Sequence, residues 1–128
     1  MVSTVDPLLK DKVILVLDDE IDIRSFLSAY FDSIGAKVLT ADNELSAWDI
    51  FQKNKIDLII SDVRIIKGNG MHFLKTIREC HYSTPLVFIT GYSDFTYEEA
   101  IQNGAQAVLA KPFKLLDLRE LVCNILSR

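Results

Sequence analysis

Four short apolar segments, each followed by polar residues, constrain the fold of this chain more than any other feature. These segments with the residues that follow them are Val13-Ile14-Leu15-Val16-Leu17 before Asp18-Asp19-Glu20, Leu58-Ile59-Ile60-Ser61 before Asp62, Leu86-Val87-Phe88-Ile89 before Thr90-Gly91, and Ala107-Val108-Leu109-Ala110 before Lys111-Pro112. Nearly continuous apolar runs of this length are typical of parallel strands that helices cover on both faces. Because ligands bind beyond the carboxyl ends of such strands, we expect these polar groups to meet at one sheet edge.

Amphipathic segments alternate with the strand-like ones. Apolar residues recur with helical spacing from Ile23 to Ile34, and Gly35 is a typical residue after a helix end. Asn43 is expected to cap a helix over 44–53. The other expected elements are strands over 36–40, 57–61 and 106–110, a third helix marked by Met71, Leu74 and Ile77, a fourth capped at Ser93 or Asp94 and ending at Gly104, and a last one marked by Leu115, Leu118, Leu121, Val122 and Ile125. This order predicts an α/β, flavodoxin-like, doubly wound (βα)5 three-layer sandwich with parallel sheet order 2-1-3-4-5.

Length and composition fit a single domain over 1–128, with a core over about 12–127. The net charge of −4 and the scattered 14 basic residues disfavour direct nucleic-acid binding. We expect no membrane insertion, because no apolar stretch approaches the roughly 18–20 residues of a membrane span. The first 12 residues lack the pattern of a secretory signal. Cys80 and Cys123 are expected to be buried free thiols, and the cytoplasm fits that expectation.

The acidic residues after the first and third strands suggest a metal site. In this sheet order the topological switch point lies between those strands, so Asp18, Asp19 and Asp62 should converge there. Carboxylates packed within a few ångströms repel each other unless a cation intervenes. Mg²⁺ suits a shallow cluster of few carboxylates that water completes. The sequence therefore predicts a magnesium site at this edge.

The residues after the fourth and fifth strands add the groups that phosphoryl transfer requires. Thr90 offers a hydroxyl, Gly91 leaves room near the backbone, and Lys111 adds a point charge for a phosphoryl oxygen. Asp62 is the best nucleophile candidate because it follows the central strand by itself, and an aspartyl phosphate is an accepted covalent form of a carboxylate. Each residue has an ordinary structural explanation, such as helix capping or surface charge, but their common position favours one site.

At this point the chain resembles the receiver domains of two-component response regulators, from about residue 12 to 127. The matching pieces are Leu17-Asp18-Asp19-Glu20, Ser61-Asp62-Val63-Arg64 with Gly70 following, Thr90-Gly91, and Lys111-Pro112-Phe113. In order and spacing this combination is highly specific. The resemblance implies a phosphoacceptor domain that takes a phosphoryl group from a phosphohistidine in a Mg²⁺-dependent reaction. It also implies that the protein is not an independent enzyme and catalyses only its own phosphorylation and dephosphorylation.

By this resemblance, Asp62 would be the phosphoacceptor, with Thr90 and Lys111 binding the phosphoryl group. Asp19 and Asp62 would bind Mg²⁺ directly, Asp18 would act mainly through water, and the backbone carbonyl of Arg64 would complete the metal shell. The Lys111-Pro112 bond is usually cis in the family. Implied partners are a sensor histidine kinase or phosphotransfer protein and an unknown output protein or domain. A homodimer through helix 4, strand 5 and helix 5 is possible.

Two positions depart from the family pattern. Ile65-Ile66 stands where the family usually has Met-Pro, so the loop before Gly68 is less restricted in backbone conformation. Val108 stands where the family commonly has Tyr or Phe, whose ring swings inward with the threonine. Tyr92, two residues after Thr90, is a candidate to overhang the phosphate. The departures leave the residues for phosphorylation intact. They put in question how phosphorylation changes the outer face of the domain.

Two other classes of function remain open. A pseudo-receiver would be an unmodified binding module, and its usual mark, loss of an acidic or Lys position, is absent here. An aspartate-dependent phosphatase would have Asp-x-Asp after the first strand, where this chain has the adjacent Asp18-Asp19. A flavin carrier would have a hydroxyl-rich loop there, and these acids would repel the FMN phosphate. The residues favour the phosphoacceptor.

Overall fold

The structure is a computed structural model that describes residues 4–91 and 97–128. Its strands are β1 (Val13–Leu17), β2 (Lys37–Ala41), β3 (Leu58–Ser61), β4 (Leu86–Thr90) and β5 (Ala107–Ala110). Its helices are α1 (Ile21–Ser33), α2 (Glu44–Lys53), α3 (Gly70–Glu79), α4 (Tyr97–Gln102) and α5 (Leu115–Leu126). The five strands are parallel in the order β2-β1-β3-β4-β5, which confirms the predicted flavodoxin-like topology.

Helices cover both faces of this sheet, and each face has its own apolar core. On one face α2, α3 and α4 pack over residues that include Leu15, Ile59 and Phe88. On the other face α1 and α5 pack over residues that include Ile14 and Ile60. Alternate residues of the central strands therefore enter opposite cores, and for this reason these strands are apolar without a polar face.

The helix boundaries follow the capping residues in the sequence. The Asn43 side chain accepts a hydrogen bond from the Ser46 backbone N–H (2.9 Å), so α2 begins as predicted. Asn69 caps α3 by accepting from the backbone N–H groups of Met71 and His72. Strand β2 begins one residue later than expected, at Lys37, and extends to Ala41. The proposed caps of α4, Ser93 and Asp94, lie outside the described residues.

The amino-terminal residues 4–12 extend the core beyond its expected start. Leu9 is fully buried in the cluster beneath α1 and α5. The Asp6 backbone N–H donates to the Ile34 carbonyl (2.8 Å), and its carboxylate pairs with Arg119 of α5 (3.0 Å). These residues close the amino edge of the sheet, opposite the edge that carries the predicted site.

No helix in the described part of the chain is long and apolar enough to cross a membrane.

The cysteine prediction is partly wrong. Both thiols are free, but Cys80 is exposed and Cys123 is half-buried. Cys80 directly follows α3 as its C-cap, where the chain turns out toward solvent, and Cys123 lies beside the polar pair Asp6 and Arg119.

Candidate functional site

The backbone around Asp62 is fixed tightly at the carboxyl end of β3. Its N–H donates to the Leu17 carbonyl of β1 (2.8 Å), and the buried Ser61 hydroxyl donates to the Asp62 carbonyl (2.7 Å). Gly70 lies so close that a Cβ there would meet the Asp62 carbonyl oxygen at 2.0 Å. The Val63 N–H donates to Asp62 Oδ1 (2.7 Å). These contacts set both the position and the orientation of the carboxylate.

The Lys111 ammonium bridges the two buried carboxylates of the site. Its Nζ lies 2.8 Å from Asp62 Oδ2 and 3.2 Å from Asp18 Oδ2. The Lys111 backbone N–H donates to the Thr90 carbonyl (2.9 Å), so β4 and β5 bring these two residues together. The Lys111-Pro112 peptide bond is cis. Asp62 and Asp18, which are 49 and 93 positions from Lys111 in the chain, thus form one ionic cluster with it.

Asp18 is a fully buried carboxylate. Burial raises the pKa of Asp18 above its ordinary value, and the charge of Asp62 raises it too, against the opposing effects of the Glu20 N–H and Lys111. The Glu20 N–H donates to Asp18 Oδ1 (2.9 Å), and Arg24 donates to the Asp18 carbonyl (2.8 Å). With both carboxylates ionised, the cluster carries more negative charge than the one ammonium of Lys111 neutralises.

The pKa of Lys111 depends on burial and on the two carboxylates that it contacts. Burial lowers the pKa of Lys111, but the hydrogen bond to Asp62 and the charges of Asp18 and Asp62 outweigh this effect. The net result is a pKa above the ordinary value, so the side chain is an ammonium at neutral pH. An ammonium held between carboxylates can exchange one of them for a phosphoryl oxygen at little electrostatic cost.

Thr90 and Gly91 complete the described edge. Thr90 ends β4 and is buried, with 6% of its surface exposed. Among the described residues, the nearest atom to a Cβ added at Gly91 would be Lys111 Cβ, at 3.9 Å, so these residues leave space for a ligand near the backbone. Tyr92, the candidate for a residue overhanging the phosphate, lies outside the described residues.

The acidic side chains at this edge are not arranged as a complete metal site. Within residues 4–91 and 97–128, no group of three or more His, Cys, Asp or Glu side chains has a metal-site arrangement. The reason is visible in two contacts: Asp19 Oδ2 accepts from the Ile66 N–H (2.9 Å), and Lys111 occupies the space between Asp18 and Asp62. The donor set is nevertheless one of hard oxygens with excess negative charge, which suits Mg²⁺.

Comparison with known proteins identifies the family of this chain. Residues 14–123 match the response regulator receiver domain family. The chain belongs to this family. The receiver domain of a response regulator from Clostridium thermocellum has the same fold, with a TM-score of 0.84 and 31% identity over 91% of this chain and 95% of that one.

Curated relatives of this receiver domain include proteins of very different length. It is 34% identical over 113 residues to the response regulator PilR of Pseudomonas aeruginosa, covering 88% of this chain and 25% of PilR. It is 31% identical over 110 residues to sporulation initiation phosphotransferase F of Bacillus subtilis, covering 85% of this chain and 89% of that protein. The chain thus spans a quarter of PilR and about half of some other relatives.

Two histidines and the tryptophan lie outside the cluster of this receiver domain. His81 is exposed after α3, and Trp48 stacks on Phe51 with ring centroids 5.8 Å apart, as a packing residue would. His72 is exposed, and its Nδ1 forms a hydrogen bond with the Glu44 carboxylate. Sequence reasoning missed this pair because the two residues are 28 positions apart and no local pattern connects them. It also missed Arg24, whose contact is with a backbone carbonyl.

Proposed function

We propose that this receiver domain is a phosphoacceptor switch in a two-component phosphorelay, with Asp62 as the acceptor. The observation that carries the proposal is the placement of the Asp62 carboxylate, which is 4% exposed and lies between the Val63 N–H and the Lys111 ammonium. A carboxylate fixed on both sides at a ligand-binding edge is oriented for attack on phosphorus. The match to a curated phosphotransferase over 89% of its length supports this role.

Mg²⁺ is the cofactor that the donor set fits. We assign Asp19, Asp62 and the backbone carbonyl of Arg64 as direct ligands, with Asp18 acting through water. When bound, the ion offsets the charge of the carboxylates and of the transferred group. Asp19 would hold the ion through a carboxylate whose Oδ2 here accepts from the Ile66 N–H, and Lys111 would share the Asp18 and Asp62 carboxylates with it.

The proposed reaction is in-line transfer from a phosphohistidine of a sensor histidine kinase or phosphotransfer protein. An Asp62 oxygen forms the new P–O bond as the P–N bond of the donor breaks, and the electron pair leaves with the imidazole. Lys111 and the Thr90 hydroxyl bind the phosphoryl oxygens, where negative charge is greatest. Loss of the phosphoryl group to water returns Asp62, so the protein acts on itself and has no separate substrate.

The output would be a change in the surface that a partner protein or domain binds. A phosphoryl group adds a charge of roughly −1.5 to −2 and acceptor oxygens that attract Thr90 and Lys111. Their strands lead into α4 and α5, so the face of α4, β5 and α5 is the proposed contact surface, including for a homodimer. We place the protein in the cytoplasm, in keeping with its two free cysteines.

The experiment that tests this proposal is labelling with a small phosphodonor, acetyl phosphate, followed by intact-mass measurement. Wild-type protein should gain one phosphoryl group with Mg²⁺ and none with EDTA. Asp62→Asn should gain none, and Asp19→Asn should need more Mg²⁺. The matched control is Asp49→Asn, an exposed aspartate of α2, which should label like wild type. A phosphoryl adduct on Asp62→Asn protein at the wild-type level would refute the proposal.

A further inference from the structure

The loop between β3 and α3, residues 62–69, carries the proposed metal-binding carbonyl of Arg64. Within the loop, Arg64 pairs with Asn69 in an isolated antiparallel bridge, and the Gly70 N–H donates to the Val63 carbonyl (2.7 Å). Ile65-Ile66 occupies the positions where a proline would restrict the backbone. Contacts from residues outside the loop therefore add to these two internal contacts in setting its conformation.

Glu44 of α2 supplies such contacts. Its Oε1 accepts a hydrogen bond from the Asn69 N–H (2.9 Å), and its Oε2 pairs with Nδ1 of His72. Its own backbone N–H donates to the Lys67 carbonyl (3.1 Å). For a charged residue the Glu44 side chain is well covered, at 20% exposure. Three hydrogen-bonding atoms of one residue thus contact the loop and the first turn of α3.

Gly68 brings the loop against Glu44 at a distance that no other residue would allow. A Cβ at this position would lie 2.4 Å from Glu44 Cβ, and the Gly68 φ of 109° favours glycine as well. The contact is therefore a packed one, with both side-chain and backbone atoms of Glu44 involved.

Helix capping does not account for this arrangement. An acidic residue in the first turn of a helix is favoured by the helix dipole. In α2, however, Asn43 already caps the amino end through the Ser46 N–H. The Glu44 carboxylate is directed instead at Asn69, which is the bridge partner of Arg64.

We propose that Glu44 is a positioning residue for Mg²⁺ that holds the β3–α3 loop so that the Arg64 carbonyl can join the metal shell. The proposal rests on the function proposed above, because it takes Arg64 as a ligand. The chain of contacts runs from Glu44 to the Asn69 N–H by a hydrogen bond, and the bridge that pairs Asn69 with Arg64 is closed by the Gly70 N–H, which donates to the Val63 carbonyl. Residues that orient metal ligands in this way typically change affinity by about 10–100-fold when replaced.

Substitutions at Glu44 separate loop positioning from helix stability. Glu44→Asp keeps the charge at the start of α2 but is one methylene too short to reach Asn69, whereas Glu44→Gln keeps the length and the acceptor. Asp49→Ala removes an acidic side chain of the same helix that, within the described part of the chain, pairs with exposed Lys53, and it serves as the control. Trp48, the single tryptophan, lines the same cleft as Lys67 and Gly68 and reports binding by fluorescence.

The expected result is a Mg²⁺ dissociation constant about tenfold higher for Glu44→Asp than for wild type, at the lower end of such effects. Glu44→Gln and Asp49→Ala should stay within about twofold of wild type on the same scale. A Glu44→Asp dissociation constant within twofold of wild type would overturn the proposal. Failure of wild-type protein to bind Mg²⁺ would instead refute the proposed function, and the role of Arg64 with it.

A second readout needs no metal. The Ile66 N–H donates to Asp19 within the loop, so its hydrogen exchange reports whether the loop is held. In metal-free protein, Glu44→Asp should speed this exchange about fivefold, as expected when one hydrogen bond is lost, while Asp49→Ala leaves it unchanged. Equal exchange of the Ile66 N–H in Glu44→Asp and wild-type protein would overturn the proposal even if metal affinity had changed.

Discussion

Replacing Lys111 with methionine should destabilise the metal-free protein, because two buried carboxylates share this ammonium. Lys111→Met keeps most of the side-chain length and removes the charge. The ammonium lies 2.8 Å from Asp62 and 3.2 Å from Asp18, and its side chain is 18% exposed. Without it, Asp18 and Asp62 face each other across the site with no cation between them.

The size of the effect follows from these distances. At an effective dielectric constant of about 20, each contact contributes roughly 5 kcal/mol of attraction before desolvation is counted. Loss of one partner from a buried ion pair costs about 3–5 kcal/mol. Because Lys111 is partly exposed and Asp18 can take up a proton, we expect the lower end, about 3 kcal/mol. For a domain of this size that corresponds to a fall of about 10 °C in Tm.

The assay is urea unfolding in EDTA at pH 7 and at pH 4, followed by the fluorescence of Trp48. The pKa of Lys111 is raised in the folded state, so its stabilising contribution is present below the ordinary value of 10.5 and is lost as pH rises through the folded pKa. Because the pKa of Asp18 is raised, Asp18 takes up a proton as the pH is lowered toward 4, and the difference from wild type should shrink there. Lys53→Met, in an exposed pair, should change stability by less than about 0.5 kcal/mol. Equal stability of Lys111→Met and wild type at pH 7 would refute this reasoning.

Three further predictions concern two buried residues and the position of Val108. Asp18→Asn should stabilise metal-free protein at pH 7 by about 1 kcal/mol in urea unfolding, because burial raises the pKa of Asp18. The stability contribution of Asp18 is present below the ordinary pKa of 3.8 and is lost as pH rises through the folded pKa. The gain from Asp18→Asn should therefore vanish below pH 3.8. Leu9→Ala should cost about 2–4 kcal/mol in the same assay, since Leu9 is fully buried, and a cost under 1 kcal/mol would contradict its place in the core. Val108 has no ring to swing, so beryllofluoride should shift backbone NMR signals more around Gly91 and α4 than around Val108 and α5, and equal shifts would contradict this.

The fold could be read from the sequence because its strongest signals are local. Continuous apolar strands separated by amphipathic helices identify a doubly wound sheet, and the Asn43 cap and the glycine after α1 mark element ends from neighbouring residues. The polar residues after strands could be assigned to one edge because strand ends of a parallel sheet lie together. The cluster of Asp18, Asp62 and Lys111 follows from this rule.

The remaining features depend on contacts between distant segments, which no local pattern encodes. The sequence gives no sign that Leu9 is buried or that Asp6 pairs with Arg119, 113 positions away. The contact of Glu44 with Asn69 depends on how closely α2 approaches the β3–α3 loop. The sequence also does not show that Lys111 bridges two carboxylates or that Asp19 bonds to a backbone N–H. These partners depend on the conformations of the side chains in the folded protein.

The most direct test of the account is to find the residue that carries the phosphoryl group. Wild-type protein is labelled with acetyl phosphate and Mg²⁺, the acyl phosphate is reduced with borohydride, and the modified residue is located by tandem mass spectrometry. We expect the modification at Asp62, with Asp18 and Asp19 unmodified. Modification of Asp18 or Asp19 with Asp62 unmodified would contradict the account.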